Sequence, residues 1–214
     1  MGGETKDTPG WTPDLQALSA EILATPPKGR RRLVALAGPP ASGKSTLAAA
    51  LAAHLTSEGH AARVVPMDGF HLDNAVLDAR GLRARKGAPE TFDAAGFVRL
   101  IQAVATEDEV AFPTFDRTRD IAIAGAEVIT AQDHTLVVEG NYLLLNSAPW
   151  DQLAALWDYT ALLDVPLPRL RARLVQRWLD HGHTQQEAET RADANDMANA
   201  QVVLSQSRAA RRIT

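Results

Sequence analysis

The chain alternates short, mostly hydrophobic runs with longer segments in which hydrophobic residues recur at helical spacing. The short runs, which are typical of buried strands, lie at residues 33–37, 62–66, 135–138 and 159–165. The longer segments, which predict helices, lie at residues 47–55, 97–104, 169–179 and 185–205. Strands that alternate with helices predict a right-handed parallel β-sheet flanked by helices, and therefore an α/β fold.

Two further stretches complete this outline. Residues 111–116 are short and extended, and residues 121–129 follow as a return strand, so we expect a β-hairpin there. Near the start, Thr12 and Pro13 have the residue types of a helix cap and a first helical position. The residues before this cap, 1–11, are mostly polar and are predicted to be disordered.

Two basic stretches carry weaker signals. Residues 78–90 are polar, contain four cationic side chains beside two glycines, and predict a mobile loop more than packed structure. Lys28 and the three arginines at 30–32 precede the first strand and predict a solvated face. No linker or internal repeat divides the chain, so residues 1–214 are expected to form a single domain.

The junction between the first strand and its helix predicts a phosphate-binding loop. It has the pattern G-x-x-x-x-G-K-[ST] from Gly38 to Ser45, and the strand-to-helix context supports this assignment. The glycines let the backbone wrap closely around phosphates, and the N–H groups expected to bind them belong to Ala41, Ser42, Gly43, Lys44, Ser45 and Thr46. The Lys44 ammonium suits the outer phosphates, and the Ser45 hydroxyl suits Mg²⁺. The chain is therefore predicted to bind a nucleoside triphosphate.

The net charge and the residue counts limit the kinds of partner and site that the chain is expected to have. The net charge is −4 at pH 7, so neither nucleic acid nor an anionic membrane is an expected partner. The 214 residues include no cysteine, which excludes disulfides and thiolate chemistry and predicts a cytoplasmic protein. The six histidines lack the spacing of zinc ligands and are expected at the surface. The oligomeric state stays open, with a homodimer as one option.

Two carboxylates follow predicted strands at the end where parallel sheets bind ligands. Asp68 ends the second strand, where it suits a catalytic base that accepts a proton from a substrate hydroxyl; the alternative is a cap on the following turn. Glu139 ends the strand at 135–138, where it suits a position near Mg²⁺; the alternative is an exposed strand end.

Three arginines share one face of the predicted helix at 169–179. Arg169, Arg173 and Arg177 recur every four residues, and Gly182 follows as a break. Such stripes are often only solvated. A kinase, however, needs cations that close over the transferring phosphate, and a helix before a glycine break suits a lid.

Five motifs in this order resemble the uridine kinase, phosphoribulokinase and bacterial pantothenate kinase group. They are the phosphate loop, Met67-Asp-Gly-Phe-His71, Arg85-Lys-Gly-Ala-Pro-Glu-Thr-Phe-Asp93, Pro113-Thr-Phe-Asp116 and Val138-Glu-Gly-Asn-Tyr142. Residues 169–182 are similar to the lid of that group. The overall pattern looks most like members labelled fructose-transport-system or sugar kinases.

The resemblance implies a three-layer P-loop NTPase fold with a helical lid at about residues 169–190. It implies ATP with Mg²⁺ as phosphate donor, with Lys44 on the phosphates and Ser45 and Glu139 at the metal. It also implies Asp68 as the base and Arg173 and Arg177 as lid arginines, although helix register leaves Arg169 open. The acceptor side is expected to include Asp68, His71, Lys86, Asp116, Arg119 and the rest of 116–119, Glu139 and Tyr142.

The expected activity is ATP-dependent phosphorylation of a hydroxyl group on a small, sugar-like metabolite. Uridine kinases carry an Asp-Ser-Phe-Tyr-like sequence where this chain has Asp68-Gly-Phe-His71, which is nearer to pantothenate kinases. A nucleoside or pantothenate kinase stays open as the alternative. The alternative of another class is a regulatory switch that hydrolyses nucleotide without an acceptor, but the guanine-reading motif Asn-Lys-x-Asp of GTPases is absent.

Overall fold

The computed structural model describes residues 14–214. Its α-helices are α1 Leu15–Ala24, α2 Lys44–Ser57, α3 Asn74–Ala79, α4 Ala94–Thr106, α5 Leu167–Asp180, α6 Gln185–Arg191 and α7 Met197–Gln206. Its strands are β1 Arg32–Ala37, β2 Ala62–Pro66, β3 Val110–Asp116, β4 Ile121–Ile129, β5 Thr135–Gly140, β6 Tyr159–Leu163 and β7 Arg211–Ile213. The predicted disorder of residues 1–11 and the predicted cap at Thr12 and Pro13 lie outside the described residues.

The predicted parallel sheet is confirmed. Five strands pair in the order β2-β5-β1-β6-β7, and each neighbouring pair is parallel. β1 lies at the centre because it pairs with β5 on one side and with β6 on the other. The short strand β7 has no strong hydrophobic run, and its place at the sheet edge was not predicted.

The sheet is buried on both faces, which produces the three layers. Leu33, Ala35 and Ala37 of β1 belong to the core on the side of α4, while Val34 and Leu36 belong to the core on the side of α1 and α2. Successive residues of a strand point to opposite faces. A continuous hydrophobic run is therefore what a strand between two helical layers requires.

Helix starts follow local capping chemistry. The carboxylate of Asp14 accepts a hydrogen bond from the Ala17 backbone N–H at 3.0 Å, so α1 begins after Asp14. Asp93 does the same for α4 through the Gly96 N–H at 2.8 Å. α4 therefore begins directly after Asp93.

The prediction that the basic run at 28–32 is a solvated face is wrong for Arg31. The Arg31 residue is only 2% exposed, although Arg30 beside it is exposed. Its guanidinium donates hydrogen bonds at 2.6–2.9 Å to the backbone carbonyls of Val104, Glu107, Asp108 and Thr130. Arg31 therefore joins the end of α4 to the end of β4 from inside the protein.

The prediction of an unpacked loop at residues 78–90 is also wrong in part. This segment contains the end of α3 and two short 3₁₀ turns, Arg83–Arg85 and Pro89–Thr91. Ala88 is fully buried, and the carbonyl of Ala88 accepts a hydrogen bond from the Thr91 hydroxyl at 2.7 Å. Side-chain packing and turn hydrogen bonds hold this basic segment in place.

Two attachments extend from the sheet. β3 and β4 form the predicted antiparallel hairpin, which carries a bulge between Phe112 and Thr114. α5 and α6 cover the segment predicted as a lid, at about residues 169–190, and a π-helical turn at Ala192–Asp196 and α7 follow it. Among residues 14–214, the helices are too short or too polar for any of them to span a membrane.

Candidate active site

The site forms where three adjacent strands end. β1 and β5 are paired with Ala37 opposite Gly140, and β2 and β5 with Pro66 opposite Glu139. The chain segments that leave β1, β2 and β5 therefore start side by side at the carboxyl edge of the sheet, where α/β folds bind ligands. These segments are the phosphate loop, the 3₁₀ turn Met67–Phe70 and the residues after Gly140.

The phosphate loop has the backbone conformation that its sequence predicts. It leaves β1 at Gly38 and enters α2 at Lys44. Gly43 has φ of 94°, in the left-handed region that glycine adopts without steric cost, and Ala41 has φ of 61°. The Ser42 N–H, one of the predicted phosphate donors, is instead used within the loop, where it donates to the Pro39 carbonyl at 3.1 Å. The amino terminus of α2 adds the positive end of its dipole.

Ser45 and Glu139 meet directly at this edge. The Ser45 hydroxyl donates to Glu139 Oε1 at 2.9 Å, and Glu139 is 5% exposed. Burial raises the pKa of the Glu139 carboxyl, while the charge of Lys44 opposes that rise. The alternative of an exposed strand end for Glu139 is therefore wrong.

This hydroxyl–carboxylate pair fits Mg²⁺. Magnesium prefers oxygen ligands and is commonly bound through one or two carboxylates together with substrate phosphates. Residues 14–214 contain no cluster of three or more His, Asp or Glu side chains that could hold a metal by themselves. Ser45 and Glu139 are thus the donors that the structure offers beside the phosphate loop.

Asp68 lies on the 3₁₀ turn beside this pair and contacts an arginine of the hairpin. Its Oδ2 accepts a hydrogen bond from Arg117 Nη2 at 2.5 Å. The hairpin reaches Asp68 because a Cβ on Gly69 would lie 2.2 Å from the Pro113 carbonyl oxygen, so only glycine permits this approach. The side chain of Asp68 is 22% exposed, and the turn itself is closed by the Asp68 backbone carbonyl, which accepts a hydrogen bond from the His71 N–H at 3.1 Å.

His71 is held between two aromatic rings. Its ring centroid lies 4.1 Å from that of Phe92 and 4.7 Å from that of Phe115. Burial lowers the pKa of His71, although Asp68 partly opposes the shift. The ring is therefore neutral at pH 7 and half-buried, which corrects the prediction that all histidines lie at the surface.

The other acceptor residues predicted from the resemblance fall into two groups. Lys86 Nζ contacts Asp120 Oδ1 at 2.7 Å and Asn74 Oδ1 at 2.8 Å, and it lies 5.1 Å from the centroid of Phe115. Asp116 and Arg119 form a separate ion pair at 2.8 Å in the hairpin turn. Asn74 and Asp120 were not predicted, because their connection to Lys86 depends on how distant segments fold together.

Tyr142, which was predicted to contact the acceptor, has a structural environment instead. It is fully buried, and its hydroxyl donates to the Gly87 carbonyl at 2.5 Å. Burial raises the pKa of its hydroxyl, which stays protonated. Through this hydrogen bond, Tyr142 holds the segment that carries Lys86 against the core.

The arginine stripe of α5 divides into three environments. Arg173 Nη1 donates to the carbonyls of Ala41 at 3.2 Å and Ser42 at 3.3 Å, in the phosphate loop itself. Arg177 Nη2 contacts Asp196 Oδ2 at 3.0 Å, in the π-helical turn. Arg169 is exposed beside Asp164 and Thr214. The interpretation that the arginines of this stripe are only solvated is therefore wrong for Arg173 and Arg177.

Known proteins share this chain's sequence and fold. It is 39% identical over 203 residues to an uncharacterised Escherichia coli protein, covering 94% of this chain and 84% of that one. It is 38% identical over 180 residues to a Schizosaccharomyces pombe protein provisionally named a uridine kinase, covering 79% of this chain and 77% of that one. No family model matches the chain.

A pantothenate kinase of Leifsonia xyli is 32% identical over 174 residues, but this chain spans about half of its length, 52%. A crystal structure from Silicibacter, provisionally named a fructose transport system kinase, superposes with a TM-score of 0.90 at 50% identity. The match covers 95% of this chain and 98% of that one. These relatives confirm the resemblance and the three-layer fold, and the chain belongs to the P-loop kinase family of its relatives named for uridine and for fructose transport.

Proposed function

We propose that this chain transfers the γ-phosphate of ATP, bound with Mg²⁺, to a hydroxyl group of a small, sugar-like metabolite. The observation that carries the proposal is the common edge of β1, β2 and β5. There the Ser45–Glu139 pair at 2.9 Å lies beside the phosphate loop, and Asp68 follows on the neighbouring strand. The charge of Lys44 lowers the pKa of Glu139 and that of Asp68 raises it, and both effects are consistent with a site where donor and acceptor groups lie close together.

The phosphate loop supplies binding and orientation. Its N–H groups and the Lys44 ammonium hold the β- and γ-phosphates, and most of the rate enhancement in such transfers comes from positioning and charge stabilisation. Ser45 and Glu139 are the residues that would hold Mg²⁺, and the bound ion would supply charge neutralisation at the phosphate oxygens. Arg173, bonded to the Ala41 and Ser42 carbonyls, fixes the loop in its curled conformation.

Asp68 acts on the acceptor. Its carboxylate accepts, or orients, the proton of the attacking hydroxyl as that oxygen forms its bond to the γ-phosphorus. The bond between the γ-phosphorus and the oxygen bridging to the β-phosphate breaks, and ADP leaves. Arg117 donates a hydrogen bond to the same carboxylate. When the acceptor binds, this hydrogen bond either breaks or remains while Asp68 also contacts the acceptor hydroxyl.

Two features support a polyhydroxylated acceptor. The Silicibacter relative, at 50% identity, is provisionally named a fructose transport system kinase. The polar groups gathered by the hairpin turn and the basic segment are Asn74, Lys86, Asp116, Arg119 and Asp120. Such donors and acceptors suit a molecule with several hydroxyls. The relatives named for uridine and pantothenate keep a nucleoside or pantothenate as the next candidates.

An acceptor screen tests the proposal. Sugars, nucleosides, pantothenate and vitamin alcohols would each be incubated with the protein and Mg·ATP, and ADP release would be compared with a blank without acceptor. A kinase releases ADP faster with its acceptor and forms a phosphorylated product detectable by mass spectrometry. ADP release that no acceptor accelerates would instead support the nucleotide-hydrolysing switch.

A further inference from the structure

The π-helical turn at Ala192–Asp196 connects the lid to the rest of the site. It lies between α6 and α7, and its residues contact both α5 and the basic segment that carries Lys86. Short π-helical turns inside helices occur frequently at functional sites, because the extra residue redirects side chains. Here the turn directs neighbouring residues to different partners.

Asp196 contacts the lid arginine from this turn. Its Oδ2 accepts hydrogen bonds from Arg177 Nη2 at 3.0 Å and from Trp178 Nε1 at 2.8 Å, and Asp196 is only 9% exposed. The guanidinium of Arg177 also lies 5.3 Å from the centroid of the Trp178 ring. One carboxylate oxygen thus holds two consecutive side chains of α5.

The turn is anchored on its other side. Asn195 Nδ2 donates to the Lys86 carbonyl at 2.9 Å. Lys86 is itself tied to Asp120 and Asn74 beside the hairpin turn. Asn195 therefore fixes the position of the neighbouring Asp196 relative to the segment that carries Lys86. The contact of Asp196 with Arg177 then fixes the Arg177 side chain relative to that same segment.

We propose that Asp196 is a positioning residue that holds the Arg177 guanidinium toward the phosphoryl group in transfer. The inference rests on the proposed kinase function. A guanidinium has five N–H donors in a planar fork, and the Asp196 contact uses a single nitrogen. Arg177 follows Arg173 by one helical turn on the same face, and Arg173 reaches the phosphate loop. A cation whose direction is fixed in advance stabilises the charge of the transition state best.

A second ion pair provides a matched control. Arg171 of α5 donates to Asp193 of the same π-helical turn at 2.7 and 2.8 Å. It therefore joins the same two elements as the Arg177–Asp196 pair, but its side chains are more exposed, at 43% for Arg171 and 50% for Asp193. If Asp196 only clamps α5 to the turn, the Asp193→Asn and Asp196→Asn variants should behave alike.

The test measures single-turnover hydrolysis of Mg·ATP, with water as the acceptor, together with calorimetric binding of Mg·ATP. Asp196→Asn keeps the volume and an oxygen for Trp178 but removes the charge. We expect its hydrolysis rate to fall roughly 10- to 100-fold, because small displacements of a positioned group carry losses of that order. The Kd for Mg·ATP should change little, and Asp193→Asn should stay within about twofold of wild type in both measurements.

A double variant separates positioning from an independent effect. If Asp196 acts through Arg177, then Arg177→Ala combined with Asp196→Asn should hydrolyse no more slowly than Arg177→Ala alone. Losses that add, or equal effects of Asp193→Asn and Asp196→Asn, would overturn the proposal. Should Asp196→Asn not fold, Asp196→Glu keeps the charge but displaces the guanidinium, and a wild-type rate in that variant would also overturn it. A wild-type protein that neither binds nor hydrolyses Mg·ATP would refute the proposed kinase function itself.

Discussion

Asp68→Asn is the most direct test of the acceptor chemistry. Asn keeps the size and polarity of the side chain but has no basic oxygen, so it cannot accept the acceptor's proton. The phosphate-binding groups lie on a different segment, at residues 38–46, and are left intact. Activity and nucleotide affinity should therefore separate in this variant.

The contacts of Asp68 allow separate estimates of the effects of Asp68→Asn on stability and on kcat. Asp68 pairs with Arg117, whose side chain is 69% exposed, so the pair contributes at most about 1 kcal/mol to stability. A loss of that size lowers the Tm of a chain this long by about 2–4 °C. Loss of a positioned base lowers kcat by about 10²–10⁴-fold, which corresponds to roughly 3–5 kcal/mol of transition-state stabilisation.

The assay measures ADP release with the acceptor found in the screen, alongside calorimetric titration with Mg·ATP and thermal unfolding. Arg117→Gln is the control, because it breaks the same ion pair and leaves the carboxylate in place; it should lose far less activity. Acceptor-dependent turnover of Asp68→Asn within a few-fold of wild type would remove Asp68 from the mechanism. Recovery of activity at high Mg²⁺ would assign Asp68 to the metal instead.

Three further predictions address nucleotide binding, stability and pH. Lys44→Ala should strongly weaken Mg·ATP binding or turnover in calorimetric and ADP-release assays while the fold survives; unchanged affinity together with unchanged turnover would contradict the phosphate-loop assignment. Arg31→Met should lower the free energy of unfolding in urea by roughly 3–5 kcal/mol, since four hydrogen bonds of about 1 kcal/mol each are lost. The exposed Arg30→Met is its control, and equal losses in both would refute the buried role. Burial lowers the pKa of His71 in the folded protein, so as pH falls below about 6.5 the unfolded chain binds a proton at His71 more readily than the folded protein does. The contribution of His71 to the free energy of unfolding is therefore present above that pH and is lost below it. His71→Gln should lose less stability than wild type between pH 7.5 and 5.5 in urea titrations, and identical pH profiles would contradict this.

The sequence by itself determined the features that depend on contiguous residues. The hydrophobic runs predicted β1 and β5, because a strand buried on both faces needs an unbroken apolar stretch, and shorter apolar runs predicted the partly buried β2 and β6. The phosphate loop was predictable because its conformation depends on glycines at set spacings within one segment. The edge of the sheet that carries Asp68 and Glu139 also followed, since both residues come directly after strands.

Only the tertiary structure decided which distant side chains meet. Arg30 and Arg31 are identical neighbours in sequence, yet Arg31 alone is buried, because the ends of α4 and β4 present carbonyls to it. The contacts of Asp68 with Arg117 and of Arg177 with Asp196 likewise join segments 49 and 19 residues apart. A hydrogen bond depends on angstrom-scale distance and direction, whereas local sequence patterns specify only the element on which each partner lies.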